Sequence, residues 1–416
     1  MIKSTNHRAF SELGDNVRAQ YLLLVMQIAY PMMTFLLIIE SYGLNAYGKF
    51  AQLLVICSIV AVIVDFGAIT YAPRILSDVG NGAAPNRRFA GLILFRLLIS
   101  QPVGCIALYL MNISSSSIDR GYAAVLVFVT MIAAAFNSQA KYFASRKLKS
   151  YARIAFITRA ASFFLIIIFA LLHVDLHFLI AVYISSFLLL SVFSAEKDTI
   201  KLISKKRSYI TAYINAKSIV IHGGATVIAN LTLQVPYLIA GIILPPIFIG
   251  ALHLGGVLMR AAASISEPVG LVAHAITGHL MRAKNIEIRT ARLDLDRIQL
   301  IIASVVSIGM LGLSIFLRKQ ELITIDSIDL ISDILRMQFF LPVLVATSSI
   351  FMLRFVAIYP RSKSPLIFQV VGLAFLSGMA WCLGMWWGAL GIARAVVVYE
   401  AMITILYATM YYKYSR

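Results

Sequence analysis

Charge is scarce in this 416-residue chain: Asp, Glu, Lys and Arg together make up 13% of it, where a soluble domain carries about 25%. Most of the exterior must therefore face lipid rather than water. Acidic residues are scarcer still, 18 against 36 Lys and Arg, for a formal net charge of +18. Cysteine is almost missing, and Cys57, Cys105 and Cys382 all sit inside apolar stretches, so no disulfide framework is expected. The segments between apolar stretches are too short for a globular domain that would hold a nucleotide or sugar nucleotide. Gly80-Asn81-Gly82-Ala83-Ala84-Pro85 lacks the Gly-Lys-Ser/Thr ending of a phosphate loop and reads as a turn. His173-Val174-Asp175-Leu176-His177 has metal-ligand residue types but no further ligand nearby, and reads as a solvated turn. His274 and His279 read as packed polar residues, and no Ser/His/Asp arrangement is present. Neither an enzyme nor a metal or other cofactor is expected.

What is present is apolar: hydrophobic residues make up 60% of the chain. They fall into twelve stretches, near Gln20–Ile39, Tyr47–Tyr71, Phe89–Met111, Gly121–Lys141, Ala152–Leu172, Phe178–Ala195, Ser218–Leu244, Phe248–Leu280, Leu300–Leu317, Ile334–Val356, Leu366–Met385 and Ala389–Met410. Roughly 20 helical residues cross a bilayer core of ~30 Å, so each stretch is long enough to span. No small-residue cleavage site follows the first, which reads as a retained helix rather than a signal peptide. Basic residues cluster in the loops after even-numbered stretches: Arg74, Arg87 and Arg88; Lys141, Arg146, Lys147 and Lys149; Lys201, Lys205, Lys206 and Arg207; Arg282, Lys284, Arg289 and Arg292; Arg361 and Lys363. The other loops are nearly bare. By the positive-inside rule this predicts an all-α, multi-pass protein of the bacterial inner membrane with both termini cytoplasmic. The basic charge then sets topology and meets anionic membrane lipids, and no nucleic-acid partner is expected. Trp386, Trp387, Tyr411, Tyr412 and Tyr414 sit where interfacial aromatic belts belong.

The longest loop divides the chain into residues 1–196 with six spans, a cytoplasmic linker over 197–217, and residues 218–416 with six more. The halves share a spacing: Gly48 stands 17 residues before Asp65, and Gly250 stands 17 before Glu267. With six spans per half, a duplication of this kind makes parallel repeats.

An ionisable group at mid-span costs about 2.5–3.5 kcal/mol on insertion scales, so those that remain face a bundle interior or water. The set is Glu40, Lys49, Asp65, Arg96, Arg159, Arg260, Glu267, Arg394 and Glu400. Arg96, Arg159 and Lys49 are near enough to span ends to snorkel, and Asp65 has Arg74 close by in sequence or a helix end to cap. Arg260 and Glu267 are seven apart, two turns on one face, and a mid-span arginine has no easy route to the interface. Arg394 and Glu400, six apart, point in different directions, so each needs a partner on another helix. Asn230, Thr232, Gln234 and Tyr237 are the polar residues of the seventh stretch, suited either to sugar hydroxyls or to contacts between helices.

Leu44-Asn45-Ala46-Tyr47-Gly48-Lys49-Phe50-Ala51, continuing to Val64-Asp65-Phe66-Gly67 and Ala72-Pro73-Arg74, resembles the Wzx-type O-antigen flippases of the polysaccharide transporter family, in the MOP superfamily. The likeness is clear over Asn16 to Asp78. The family's Trp-x-x-Gln-Gly-x-Glu run is replaced by basic residues around Ala140 to Lys147, and its span-seven Asp is missing near Gln234. The resemblance implies a MATE-like fold of two six-helix lobes around a central cavity that opens alternately to each side. It implies a lipid-linked oligosaccharide, a repeat unit on undecaprenyl pyrophosphate, as cargo, with a polysaccharide polymerase and a chain-length regulator as further partners. Coupling to protons or sodium is left open. Candidate cargo-binding residues are Arg260, Arg96, Arg159, Arg394, Glu267, Asp65, Asn230, Gln234 and Tyr237, because guanidinium binds pyrophosphate or acidic sugars bidentately. The alternatives are an ion-coupled multidrug or small-molecule antiporter of the same fold, which calls for acids in its cavity, and a membrane-embedded polymerase or glycosyltransferase. Polymerases call for a large outer loop, and the longest here, from Arg318 to Asp333, is short.

Overall fold

A computed structural model of the chain describes residues 2–68, 83–113, 119–145, 147–195, 197–203, 223–267, 269–270, 286–319, 328–358 and 364–415. Its elements are helices: α1 Ile2–Asp65, α2 Ala83–Ile113, α3 Arg120–Ala135, α4 Gln139–Ala144, α5 Leu148–Leu171, α6 Leu176–Ser194 and α7 Lys197–Ile203, then α8 Gly223–Thr232. They continue with α9 Val235–Ile243, α10 Pro246–Ser264, α11 Ile286–Lys319, α12 Ile328–Gln338, α13 Leu341–Ile358 and α14 Ser364–Ser415.

Nine helices among the described residues are long and apolar enough to cross a membrane. Two of them, Tyr21–Asp65 with 45 residues and Ser364–Lys413 with 50, have about twice the length that crosses a bilayer core. Each is broken at a glycine with positive φ, Gly43 at 83° and Gly388 at 60°, a conformation that side-chain-bearing residues avoid. A further span is the pair α8 and α9, bent by 41°. Pro236 accounts for that bend, since it lacks an N–H and its ring crowds the carbonyl four residues earlier, at Thr232. With each broken helix counted as two spans and the bent pair as one, the number is the expected twelve. The chain is a multi-pass, all-α membrane protein. Phe164, Leu171, Ile301, Val305, Ile308 and Ile405 are exposed, as side chains that meet lipid should be.

The eighth expected span, Phe248 to Leu280, differs. Helix α10 ends at Ser264, and Ile265 and Ser266 form a turn. The chain is helical again at Glu267 and at residues 269–270, so a two-residue turn interrupts this span, and residues 271–280 of it lie outside the described residues.

The chain folds as two compact units, Met1–Tyr42 with Gln52–Gln234, and Gly43–Ala51 with Val235–Arg416. The division falls in the α8–α9 bend; of the expected linker, 197–203 form α7 and 204–217 lie outside the described residues. In the first unit α2 packs on α3 and α7, α6 on α3 and α5, and α4 on α5. The first half of α1 closes this bundle through Ala19 and Leu23, which join Leu148, Tyr151, Ala152, Ala155 and Leu190 in one buried cluster. The end of α1 is fixed by Phe66 and Gly67, both left-handed at φ 49° and 68°. The Gly67 backbone lies against Gly223, where an added Cβ would meet the carbonyl at 3.0 Å.

In the second unit α10 is central, packing on α9, α11, α12, α13 and α14. The short piece Gly43–Ala51 crosses α10 at its start. A Cβ on Gly48 would overlap the Pro246 carbonyl, and one on Gly250 would meet the Leu44 carbonyl at 2.8 Å and the Gly48 Cα at 3.2 Å. Each glycine thus faces the residue four before the other. The two glycines matched by spacing make one close crossing.

Candidate functional site

The charged side chains inside the bundles separate into three situations. The first is a closed ion pair. Asp65, at the end of α1, pairs with Arg96 of α2, which also donates to the carbonyl of Ala135 at 3.4 Å, at the end of α3, and to that of Asn137 at 2.9 Å, just past it. Arg96 is 0% and Asp65 17% exposed. The guanidinium covers carbonyls that the end of α3 leaves without helical partners. Arg96 therefore does not snorkel, and Asp65 takes a partner 31 residues away; Arg74 lies outside the described residues. A second pair, Arg354 with Asp296, sits in the other unit, with the Arg354 guanidinium 5.5 Å from the Tyr411 ring. Sequence reading missed it, since 58 residues separate the two.

The second situation is Arg159. It is 8% exposed, halfway along α5, and its Nη1 has no hydrogen-bond partner. No carboxylate pairs with it among the described residues. The ionisable groups around it are the phenols of Tyr151, Tyr183 and Tyr30. Tyr30 stacks on Tyr183 with centroids 5.2 Å apart, and its hydroxyl lies 2.9 Å from the Ser162 hydroxyl and 3.3 Å from that of Ser186.

The third is the group built on α10. Arg260 lies 5.4 Å above the Tyr237 ring and donates through Nε to the Gly256 carbonyl at 3.3 Å. The Tyr237 hydroxyl fills the space a Cβ on Gly256 would need, so glycine there lets the phenol lie against the helix backbone. One turn back, His253 meets the edge of Tyr237, centroids 5.3 Å apart, and its Nδ1 is 2.7 Å from the Tyr47 hydroxyl. A line of side chains, Tyr47–His253–Tyr237–Arg260, therefore runs inside this unit. The ring face holds the cation by its π electrons and leaves the terminal guanidinium nitrogens, with no carboxylate among the described residues. Arg260 stands four residues before the helix end at Ser264, ahead of the turn at Ile265 and Ser266. Glu267 is exposed beyond that end and makes no ion pair with Arg260.

Of the sequence candidates, the structure brings together Asp65 with Arg96, and Tyr237 with Arg260. Arg394 lies over Trp387 at 5.0 Å, away from Glu400. Glu400 is half-buried on α14 without an ion-pair partner among the described residues. Asn230 and Gln234 are half-buried in and after α8, in the other unit from Tyr237. His253 and Tyr47 were not singled out from sequence. The seven-residue interval between His253 and Arg260 is the signal that would have placed them on one face. His177 bonds Asp175 at 3.1 Å at the exposed start of α6, which holds that carboxyl below its usual range, and no group of metal ligands is found among the described residues. His274, His279, Gly80, Asn81, Gly82, Arg74, Arg146, Lys205, Lys206, Arg207, Arg282, Lys284, Arg361 and Lys363 lie outside the described residues.

No known family and no curated protein matches the sequence. The fold does match solved structures. The chain is similar to the lipid II flippase MurJ in an inward closed conformation, with a TM-score of 0.71 at 15% identity over 95% of this chain and 87% of that one. It is also similar to a multidrug resistance MATE family transporter of the MOP superfamily in an inward-facing conformation, at 0.68 and 16% over 94% of each chain. A third likeness is to the MATE multidrug transporter DinF-BH, at 0.63 and 16% over 97% and 95%. The chain has the fold shared by these transporters and flippases.

Proposed function

We propose that this protein is a flippase that carries an undecaprenyl-pyrophosphate-linked oligosaccharide, an O-antigen or related surface repeat unit, across the bacterial inner membrane by alternating access. Both termini are cytoplasmic in this reading. The observation that carries it is the guanidinium of Arg260, positioned by the Tyr237 face and left with free nitrogens and no carboxylate among the described residues. Such a group suits a pyrophosphate or acidic sugar, because the planar fork binds paired oxygens and keeps its charge. Asn230 and Gln234 are proposed to meet sugar hydroxyls. Proton or sodium coupling belongs to the reading as an option, with a polymerase and a chain-length regulator as downstream partners.

A multidrug antiporter is the second reading, favoured by Glu400, an intramembrane acid with no ion-pair partner among the described residues, which suits a cation. Reconstitution into liposomes separates the two. The flippase reading expects a fluorescent undecaprenyl-pyrophosphate oligosaccharide to change leaflets and a cationic dye to stay put. Dye transport with no movement of the lipid-linked sugar would replace the first reading by the second.

A further inference from the structure

Arg159, one of the candidates from sequence, has no role in the function proposed above, and its burial poses a problem of its own. Its helix, α5, has 24 residues and Arg159 is the twelfth, so at 1.5 Å per residue about 18 Å of helix lies on either side. That is farther than its own side chain extends. The residue is 8% exposed, so the guanidinium has left water, and it cannot shed its proton to become neutral. Arg96, also buried, answers the same problem with Asp65 and two carbonyls. Arg159 has no carboxylate among the described residues, and Nη1 has no acceptor there at all.

The groups around it do not supply the missing charge. Tyr30, Tyr151 and Tyr183 are phenols, neutral at ordinary pH. Their hydroxyls are engaged elsewhere where partners are seen: Tyr30 with Ser162 and Ser186, and Tyr151 with Asn137 at 3.4 Å. Ser162 donates onward to the Val182 carbonyl at 3.2 Å and Ser186 to the Tyr183 carbonyl at 2.6 Å. Within this polar frame Nη1 of Arg159 is a buried donor without an acceptor among the described residues. A buried cation inside a satisfied frame is stable when an anion completes it.

The outside of α5 indicates what bears that anion. Phe156, Ile157, Phe164, Leu165 and Ile168 are exposed on the same helix, a surface suited to acyl or polyprenyl chains rather than to water. We propose that Arg159, framed by Tyr30, Ser162, Tyr183 and Ser186 between α1, α5 and α6, is an anion site for the phosphate or pyrophosphate of a membrane-borne lipid. The inference rests on the protein being embedded in a membrane and not on the cargo reading. Two sources share this chemistry, the pyrophosphate of a polyprenyl carrier and the phosphate of an anionic phospholipid.

Native mass spectrometry of the purified full chain in detergent, titrated separately with undecaprenyl pyrophosphate, phosphatidylglycerol and phosphatidylcholine, tests the proposal. Wild type should retain one copy of an anionic lipid at least tenfold more tightly than Arg159→Gln, with Arg159→Lys between them and phosphatidylcholine indifferent to all three. Preference for undecaprenyl pyrophosphate assigns the site to a polyprenyl carrier, and preference for phosphatidylglycerol assigns it to the bilayer, and either supports the site. Equal retention of both anionic lipids by wild type and Arg159→Gln overturns it. Should Arg159→Gln fail to fold, the wild type decides alone. A melting temperature raised by at least one anionic lipid and not by phosphatidylcholine supports the site, and no rise with either anionic lipid overturns it. Liposomal transport that fails while this lipid binding persists would remove the flippase reading and leave the site.

Discussion

Asp65 and Glu267 stand the same distance from matched glycines, yet the molecule uses them differently. Asp65 is half-enclosed and bonded to a fully buried arginine. Glu267 is exposed beyond the end of α10 and makes no ion pair among the described residues. The glycines behave in the opposite way, since Gly48 and Gly250 meet each other in one crossing and each needs the other's lack of a side chain. The shared spacing therefore marks a packing device and not a charge pair. A close helix crossing needs only a small residue at the right register. An ion pair needs a partner on a third element, which Asp65 has in Arg96 of α2 and Glu267 lacks among the described residues.

The largest effect should separate the two acids. Asp65→Ala leaves Arg96 buried without its counter-charge and should cost about 3–5 kcal/mol, read as lost folded yield and a lower melting temperature in detergent. Glu267→Ala should stay within about 0.5 kcal/mol of wild type. Equal losses for both would erase the contrast. Next come the glycines. Gly48→Ala or Gly250→Ala forces backbone apart at the crossing and should cost roughly 1–3 kcal/mol, whereas Gly309→Ala, with open space around its Cβ position, should stabilise α11 by about 0.8–1 kcal/mol through helix propensity. Equal tolerance at all three positions would show that the crossing is not tight.

A smaller effect probes the line of side chains along α10. Tyr47→Phe removes the hydrogen bond to His253 and should cost about 0.5–1.5 kcal/mol, with the larger part of any transport defect cured by restoring a hydroxyl at that position. Gly256→Ala should lower transport more than stability, because its methyl group takes the place of the Tyr237 hydroxyl and so moves the ring that positions Arg260. A melting temperature that falls while transport per folded molecule is unchanged would detach Tyr237 from function.

The spans are legible in sequence because lipid exposure and helix length depend on local composition, and Gly43 and Gly388 break helices by a property of their own backbone. Partners are less legible. Asp65 bonds Arg96, 31 residues away on another helix, and no local spacing in the sequence announces that partner. Arg260 and Glu267 share a helical face on paper, but α10 stops at Ser264 and separates them. Tyr237 reaches Arg260 through the Pro236 bend and the gap at Gly256, and neither feature has a period that sequence reading can detect. Arg159 is read as able to snorkel because its span is drawn a few residues off, and the observed helix puts it at the centre.

The central claim is that Arg260 meets the anionic part of the cargo. Leaflet exchange of an undecaprenyl-pyrophosphate oligosaccharide in liposomes, normalised to folded protein, tests it most directly. Arg260→Ala should abolish exchange and Arg260→Lys should restore only part of it, because lysine keeps the charge and loses the planar fork. Full exchange by Arg260→Ala at normal abundance would contradict the account.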